Sequence, residues 1–170
     1  MPVDEGAGGS SARSNLAIGA VAVTVVVVDQ LAKLWALRTL ADGPVHVVGP
    51  LRLSLVRNTG AAFGLGDRLG TGIGALVVPL LAIAALVAVA AMAMKGGPSA
   101  RAGFGAALAL LLGGAAGNLV DRLIRSPGLL RGAVVDFIDL GFWPVFNVAD
   151  MAVTVGCALL LLQSSRSPRR

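Results

Sequence analysis

Four apolar stretches, each approaching or reaching about 20 residues, dominate this chain of 170 residues. They cover residues 16–37, 71–94, 102–120 and 143–163. An α-helix rises about 1.5 Å per residue, so about 20 apolar residues cross about 30 Å of hydrocarbon. One such stretch would fit a buried core helix; four in so short a chain do not. The composition agrees, at 56% hydrophobic and 14% charged, where a soluble domain carries about 25% charged residues. A mean hydropathy of +0.83 excludes a disordered chain, a disulfide scaffold and an ordinary water-soluble enzyme. The expected fold class is an all-α integral membrane protein with four transmembrane helices.

Around these stretches the expected organisation is a polar N-terminal tail (1–15), one four-span domain (16–163) and a basic tail (164–170). The first apolar run is too long for a cleaved signal peptide, and the segment before it is too acidic for one. The net charge of +5 does not point to nucleic acid. Arg38, Arg52, Arg57, Lys95, Arg101, Arg125 and Arg131 punctuate apolar runs instead of forming a stripe, as residues flanking membrane spans do. With one Cys and one His, no intrachain disulfide and no Cys/His metal site can be built, and no cofactor is expected. Cys157, inside the last apolar run, reads as a small buried hydrophobe. Glycines 103, 105, 113, 114 and 117 suit close helix packing in the third span. Pro144 suits the first turn of the fourth.

The connections differ. Residues 95–101 form a short basic turn, and its density of positive charge, like that of the C-terminal tail, places both termini in the cytoplasm. Residues 38–70 are too many for a simple connection. Within them Leu51-Arg52-Leu53-Ser54-Leu55 alternates with period two, the mark of a half-buried strand, so a small sheet is expected at the membrane surface. Residues 121–142 carry their own apolar run, 133–138.

Ionisable side chains are expensive in hydrocarbon, at least about 2.5 kcal/mol at a helix centre, and mark function by default. Here they are few: Asp29 and Lys33 in the first span, Asn118, Asp121 and Arg122 closing the third, and Asn147 and Asp150 in the fourth, with Asp136 in the 133–138 run. In an antiparallel four-span bundle the ends of odd spans and the starts of even spans meet at one face, so all of them converge in one leaflet. Asp29 and Lys33, four residues apart, form a natural ion pair, and Asn118, Asp121 and Arg122 share a helix face, as do Asn147 and Asp150. Asp150 is expected about two turns into its span. Asp29–Lys33 and Asp121–Arg122 are explicable as packing clamps; Asp136 and Asp150 have no adjacent basic partner. Two such carboxylates together in a low dielectric share one proton and supply a base and an acid at the same pH.

Four motifs, in this order, resemble one family: Asp29-Gln30-Leu31-Ala32-Lys33; Arg57-Asn58-Thr59-Gly60-Ala61-Ala62-Phe63-Gly64; Gly113-Gly114-Ala115-Ala116-Gly117-Asn118-Leu119-Val120-Asp121-Arg122; and Val135-Asp136-Phe137 followed by Phe146-Asn147-Val148-Ala149-Asp150. Together they are similar to bacterial lipoprotein signal peptidase (signal peptidase II), over residues 25–156. The resemblance implies an aspartic endopeptidase without metal. It would cut prolipoproteins before the diacylglyceryl-modified cysteine, with Asp136 and Asp150 as the catalytic pair. It further implies that Asn58, Asn118 and Arg122 hold the substrate backbone, that Asn147 orients the pair, and that Gly60, Asp29, Lys33 and Asp121 belong to the site or its support. A β-cradle at about 45–65, a site near the outer face of the bacterial cell membrane, a monomer among membrane lipids and sensitivity to globomycin follow in the same way. The alternatives from the residues alone are a proton-coupled small transporter, which lacks an inverted repeat here, and a structural subunit, which would not explain two unpartnered aspartates.

Overall fold

The computed structural model describes residues 6–59, 102–126 and 130–164. The second apolar stretch (71–94), the basic turn after it and Gly60 lie outside the described residues. Helix α1 (Gly6–Thr39) is followed by strands β1 (Val45–Val48) and β2 (Leu51–Asn58), then helix α2 (Ala102–Ile124), strand β3 (Val134–Asp139) and helix α3 (Val148–Ser164).

Helices α1 and α2 run parallel. Ile18, Val25 and Asp29 of α1 face Gly105, Gly113 and Gly117 of α2 in the same order. The glycines permit that approach: a Cβ on Gly117 would lie 2.7 Å from Asp29 Oδ2, and one on Gly114 2.5 Å from the Ala149 carbonyl of α3. Small residues at a helix contact let backbones close up, which matters where burial of apolar surface supplies no driving force.

The distribution of polarity is inverted relative to a soluble domain. Among the described residues, the largest fully buried side chains include Lys33, Asn147, Asp29, Asp121 and Asp136. Leu16, Val23, Val27, Leu31 and Leu34 of α1 and Leu161 and Leu162 of α3 face outward. Water on that outer face would make the arrangement untenable, because the apolar surface is exposed while charges are enclosed. Two described helical segments, Arg13–Thr39 and Phe104–Ile124, are long and apolar enough to cross a membrane. Lipid resolves the inversion.

The sheet differs from the expectation of a unit built within residues 38–70. Its order is β1-β2-β3, all antiparallel, so the 133–138 run supplies the third strand. β1 and β2 form a hairpin in which Val48 pairs with Leu51, and Gly49 takes a φ of +53° in the tight turn. In β2–β3, Val56 pairs with Asp136, Arg57 with Val135 and Asn58 with Val134. Val135 and Phe137 pack with Ala36 and Leu40 at the end of α1, which seats the sheet against the helices.

Several boundaries move. Residues 6–15, expected as a polar tail, are helical and continuous with α1. Asp121 and Arg122 lie within α2, and not in the loop after it. α3 starts at Val148, four residues beyond Pro144, which therefore is not in its first turn. The start is set by a reciprocal cap: the Asp150 amide donates to Asn147 Oδ1 (2.9 Å), and the Asn147 amide donates to Asp150 Oδ2 (3.2 Å). Asp150 accordingly sits in the first turn of the helix, and not two turns into it. Cys157 is exposed, not buried; it sits on a face of α3 turned away from the packed interior, where an apolar thiol suits lipid as well as it would suit a core.

Candidate active site

The buried polar residues form one network at the junction of α1, α2, the sheet and the start of α3. Its base is Lys33. An ammonium has three N–H donors and no acceptor. In Lys33 all three are used: Asp29 Oδ2 (2.8 Å), Asp121 Oδ2 (2.9 Å) and Asn118 Oδ1 (2.8 Å).

Because Lys33 only donates, Asn118 must turn its oxygen toward it, and its Nδ2 then donates to Asp150 Oδ1 (2.8 Å). The same Asn118 oxygen accepts from Asn147 Nδ2 (3.1 Å). Asn147 Nδ2 also donates to Asp136 Oδ1 (2.6 Å). Amide polarity is thus fixed step by step from the cation outward. The result is that both carboxylates receive donors: Asp136 from Asn147 and from Asn58 Nδ2 (3.0 Å), Asp150 from Asn118 and from the Asn147 backbone.

Asp136 and Asp150 come from different elements, β3 and α3, yet both bind Asn147. They also interact electrostatically. Burial pushes the Asp136 carboxyl up to about 6, and the neighbouring Asp150 charge adds to this, while the Asn58 and Asn147 donors and the Lys33 charge pull the other way. A carboxyl in that range holds or yields a proton near neutral pH, as a general acid or base must.

Arg122 is buried, within electrostatic reach of Asp136, Asp121 and Asp150, and among the described residues its Nη1 has no hydrogen-bond partner. Among the described residues Arg122 forms no ion pair with its chain neighbour Asp121. Instead Asp121 takes Lys33, Arg125 Nε (2.7 Å) and the Val135 amide (3.1 Å). An unfilled guanidinium donor beside two carboxylates is available to a carbonyl oxygen of a bound chain.

Of the residues expected in the site, Asp29, Lys33, Asn58, Asn118, Asp121, Arg122, Asp136, Asn147 and Asp150 all converge here, and Gly60 lies outside the described residues. Asp29 also caps α3, accepting the Ala149 amide at 2.9 Å across 120 residues of sequence. Two contributors were missed. Gln30 donates to Asp29 Oδ2 (3.2 Å), the Gly117 carbonyl (3.0 Å) and Asp121 Oδ1 (3.2 Å). Arg125 closes the cluster through Asp121. The i,i+4 spacing of Asp121 and Arg125 was the available signal for the second; Gln30 lay inside a motif without a chemical reason attached to it.

A carboxylate pair held by amide donors at the junction of apolar helices and a small sheet is an arrangement suited to a membrane-embedded peptidase. The comparisons with known proteins agree with that class. The sequence model of the family described as "Signal peptidase (SPase) II" matches residues 21–166. The lipoprotein signal peptidase of Mycobacterium avium (strain 104) is 43% identical over 146 residues, covering 85% of this chain and 76% of that protein. That of Rhodococcus jostii (strain RHA1) is 41% identical, covering 84% and 69%. A solved structure described as "Bacterial membrane enzyme structure by the in meso method at 1.9 A resolution" superposes with a TM-score of 0.70 at 29% identity, covering 94% of this chain and 95% of the other. The chain belongs to the signal peptidase II family and is a membrane peptidase.

Proposed function

We propose that this chain removes the signal peptide of prolipoproteins, cutting before the diacylglyceryl-modified cysteine, with Asp136 and Asp150 as the catalytic pair. The observation that carries the assignment is the shared binding of both carboxylates to one residue, Asn147. One member of the pair is ionised and takes a proton from water; the other is protonated and donates to the scissile carbonyl. The water oxygen adds to the carbonyl carbon, and the tetrahedral gem-diol intermediate breaks its C–N bond as the pair protonates the leaving amine of the cysteine. The two groups titrate as a unit, so the roles belong to the pair.

Asn58, Asn118 and Arg122 hold the substrate backbone, and Asn147 orients the pair. The free Nη1 of Arg122 supports its part in this. Asp29, Lys33 and Asp121 support the site through the ion pairs beneath it, and Gly60 is assigned to substrate binding or site support with them. The complete fold has four spans within residues 16–163, with the sheet as a cradle at the outer face and both termini in the cytoplasm. The enzyme works as a monomer, its substrate's acyl chains remain in lipid, and globomycin inhibits it. A proton-coupled transporter would use the same carboxylates, but the amide donors on both are spent on holding them in place, which favours a fixed catalytic pair over a relay.

The test is cleavage of a diacylglyceryl-modified prolipoprotein by purified protein. Asp136→Asn and Asp150→Asn should each lower kcat by at least about 100-fold, the low end for a lost general acid or base, with membrane insertion intact. Full activity in either variant would defeat the assignment.

A further inference from the structure

A second cavity lies apart from the carboxylate pair. Its volume is about 340 Å³, and Leu37, Arg57, Ile124, Arg125, Ser126 and Val135 line it. That volume is within the range of about 300–1,000 Å³ typical of small-molecule sites. The alternation of β2 and β3 separates it from the active site. Val56 pairs with Asp136, whereas Arg57 pairs with Val135, so Arg57 and Val135 are on the sheet face opposite Asp136.

Its depth is set by the helices. The two membrane-crossing segments end at Thr39 and Ile124, and since α1 and α2 run parallel, both ends are at one level. Leu37 and Ile124 belong to those last turns. The cavity therefore lies at the common end of both apolar segments, the level at which a headgroup would meet it in the proposal below.

Its chemistry is amphipathic. Arg57 is exposed and has no carboxylate partner among the described residues. Among the described residues Arg125 gives its Nε to Asp121, and its side chain stays partly exposed where it lines the cavity. Ser126 adds a hydroxyl, and Leu37, Ile124 and Val135 form an apolar wall. Guanidinium forks match phosphate oxygens in geometry and charge. At this depth the abundant anion bearing an apolar chain is a phospholipid. Two arginines with no unpaired carboxylate beside them repel a choline or ethanolamine ammonium and accept a headgroup with net negative charge.

We propose that this cavity binds the phosphate headgroup of one anionic phospholipid, with Arg57 and Arg125 on the phosphate oxygens and the acyl chains leaving over Leu37 and Ile124. The full-length protein in detergent micelles would be examined by native mass spectrometry while titrated with phosphatidylglycerol or phosphatidylcholine of the same acyl chains. One phosphatidylglycerol should be retained, at least about tenfold more tightly than phosphatidylcholine. Arg57→Gln should weaken that retention about tenfold, Arg57→Lys should restore part of it, and millimolar inorganic phosphate should not displace the lipid. Ile124→Glu, which sets a carboxylate at the mouth without touching either arginine, should produce the same loss and serves if Arg57→Gln does not fold. Equal retention of the two lipids, unchanged retention in both variants, or displacement by free phosphate would each overturn the proposal. Cleavage is not measured, so failure here is distinct from failure of the catalytic assignment.

Discussion

Lys33→Met tests whether the intramembrane cation does more than hold helices together. Methionine keeps most of the side-chain length and removes the charge. Two ion pairs disappear, at 2.8 Å to Asp29 and 2.9 Å to Asp121, with both partners fully buried. Breaking a buried pair costs about 3–5 kcal/mol because a charge is left uncompensated. The two carboxylates do not suffer equally. Asp121 retains Arg125 and the Val135 amide, whereas Asp29 retains only uncharged donors, Gln30 and the Ala149 amide. The stability loss therefore sits mainly on Asp29, and the double variant Asp29→Asn/Lys33→Met should recover much of it in a thermal unfolding measurement, since an Asn oxygen still caps Ala149.

The catalytic loss should not recover. Without Lys33 the Asn118 oxygen keeps only the longer donor, Asn147 Nδ2 (3.1 Å), so the orientation that gives Asp150 its Asn118 donor is held less firmly and that hydrogen bond is weakened. A hydrogen bond to a charged group is worth about 1.5–3 kcal/mol, and each 1.36 kcal/mol is about tenfold in rate. The fall in kcat is then roughly 10- to 150-fold, in the single and the double variant alike, read from single-turnover cleavage of a modified prolipoprotein. If kcat returns in the double variant together with stability, Lys33 is only a clamp and the amide-polarity argument is wrong.

Other outcomes follow from the same geometry. Burial raises Asp136 to about 6, so the free enzyme loses the shared proton as pH climbs past that value, and kcat/KM should decline on its alkaline side. Asn58 donates to Asp136 and pulls its pKa down; Asn58→Ala should shift that alkaline limb to higher pH, and a shift downward would contradict the assignment. For stability the sign is opposite to that of a salt-bridged aspartate. Between 3.8 and about 6 the folded state holds a proton that the unfolded state has lost, so thermal stability should fall as pH rises through that window, and Asp136→Asn should flatten the dependence. Gly117→Ala puts a methyl 2.7 Å from Asp29 Oδ2, and should lower both stability and kcat by separating α1 from α2, measured by unfolding and cleavage together.

The described helices and the identity of the polar cluster were legible because hydrocarbon imposes a harsh rule: an ionisable residue inside an apolar run needs a reason, and Asp29, Lys33, Asn118 and Asp150 stand out against Val, Leu and Ala. The i,i+4 pair of Asp29 and Lys33 was legible for the same reason. What the pattern could not show was pairing across the chain. The 133–138 run is short and apolar, equally compatible with a strand or a piece of helix, and only the hydrogen bonds to β2 decide it. The start of α3 was hidden likewise. Apolar residues begin at Phe142 and suggest an earlier start, but Asn147 and Asp150 satisfy the first amides by capping, and a capping box outweighs hydrophobicity in setting a boundary. Gln30 escaped notice because an uncharged amide in a span carries no electrostatic alarm, although here it touches three partners.

Charge bookkeeping across the network ties the support residues to the chemistry. Lys33, Arg122 and Arg125 are its cations; Asp29, Asp121, Asp136 and Asp150 are its carboxylates. Three positive groups face four acids, so the fully ionised cluster carries one excess negative charge in a medium where an unbalanced charge is heavily penalised. A single bound proton cancels it. The place for that proton is set by the partners. Asp29 and Asp121 contact Lys33 directly, whereas neither Asp136 nor Asp150 has a direct ion pair among the described residues. A single proton on the Asp136 and Asp150 pair is what the proposed mechanism requires, and it is also what would balance the cluster's charge. On this reasoning the ion pairs of α1 and α2 act at a distance: Lys33 and Arg125 are matched by Asp29 and Asp121, which leaves Arg122 as the one cation facing Asp136 and Asp150, and one proton on that pair balances the cluster.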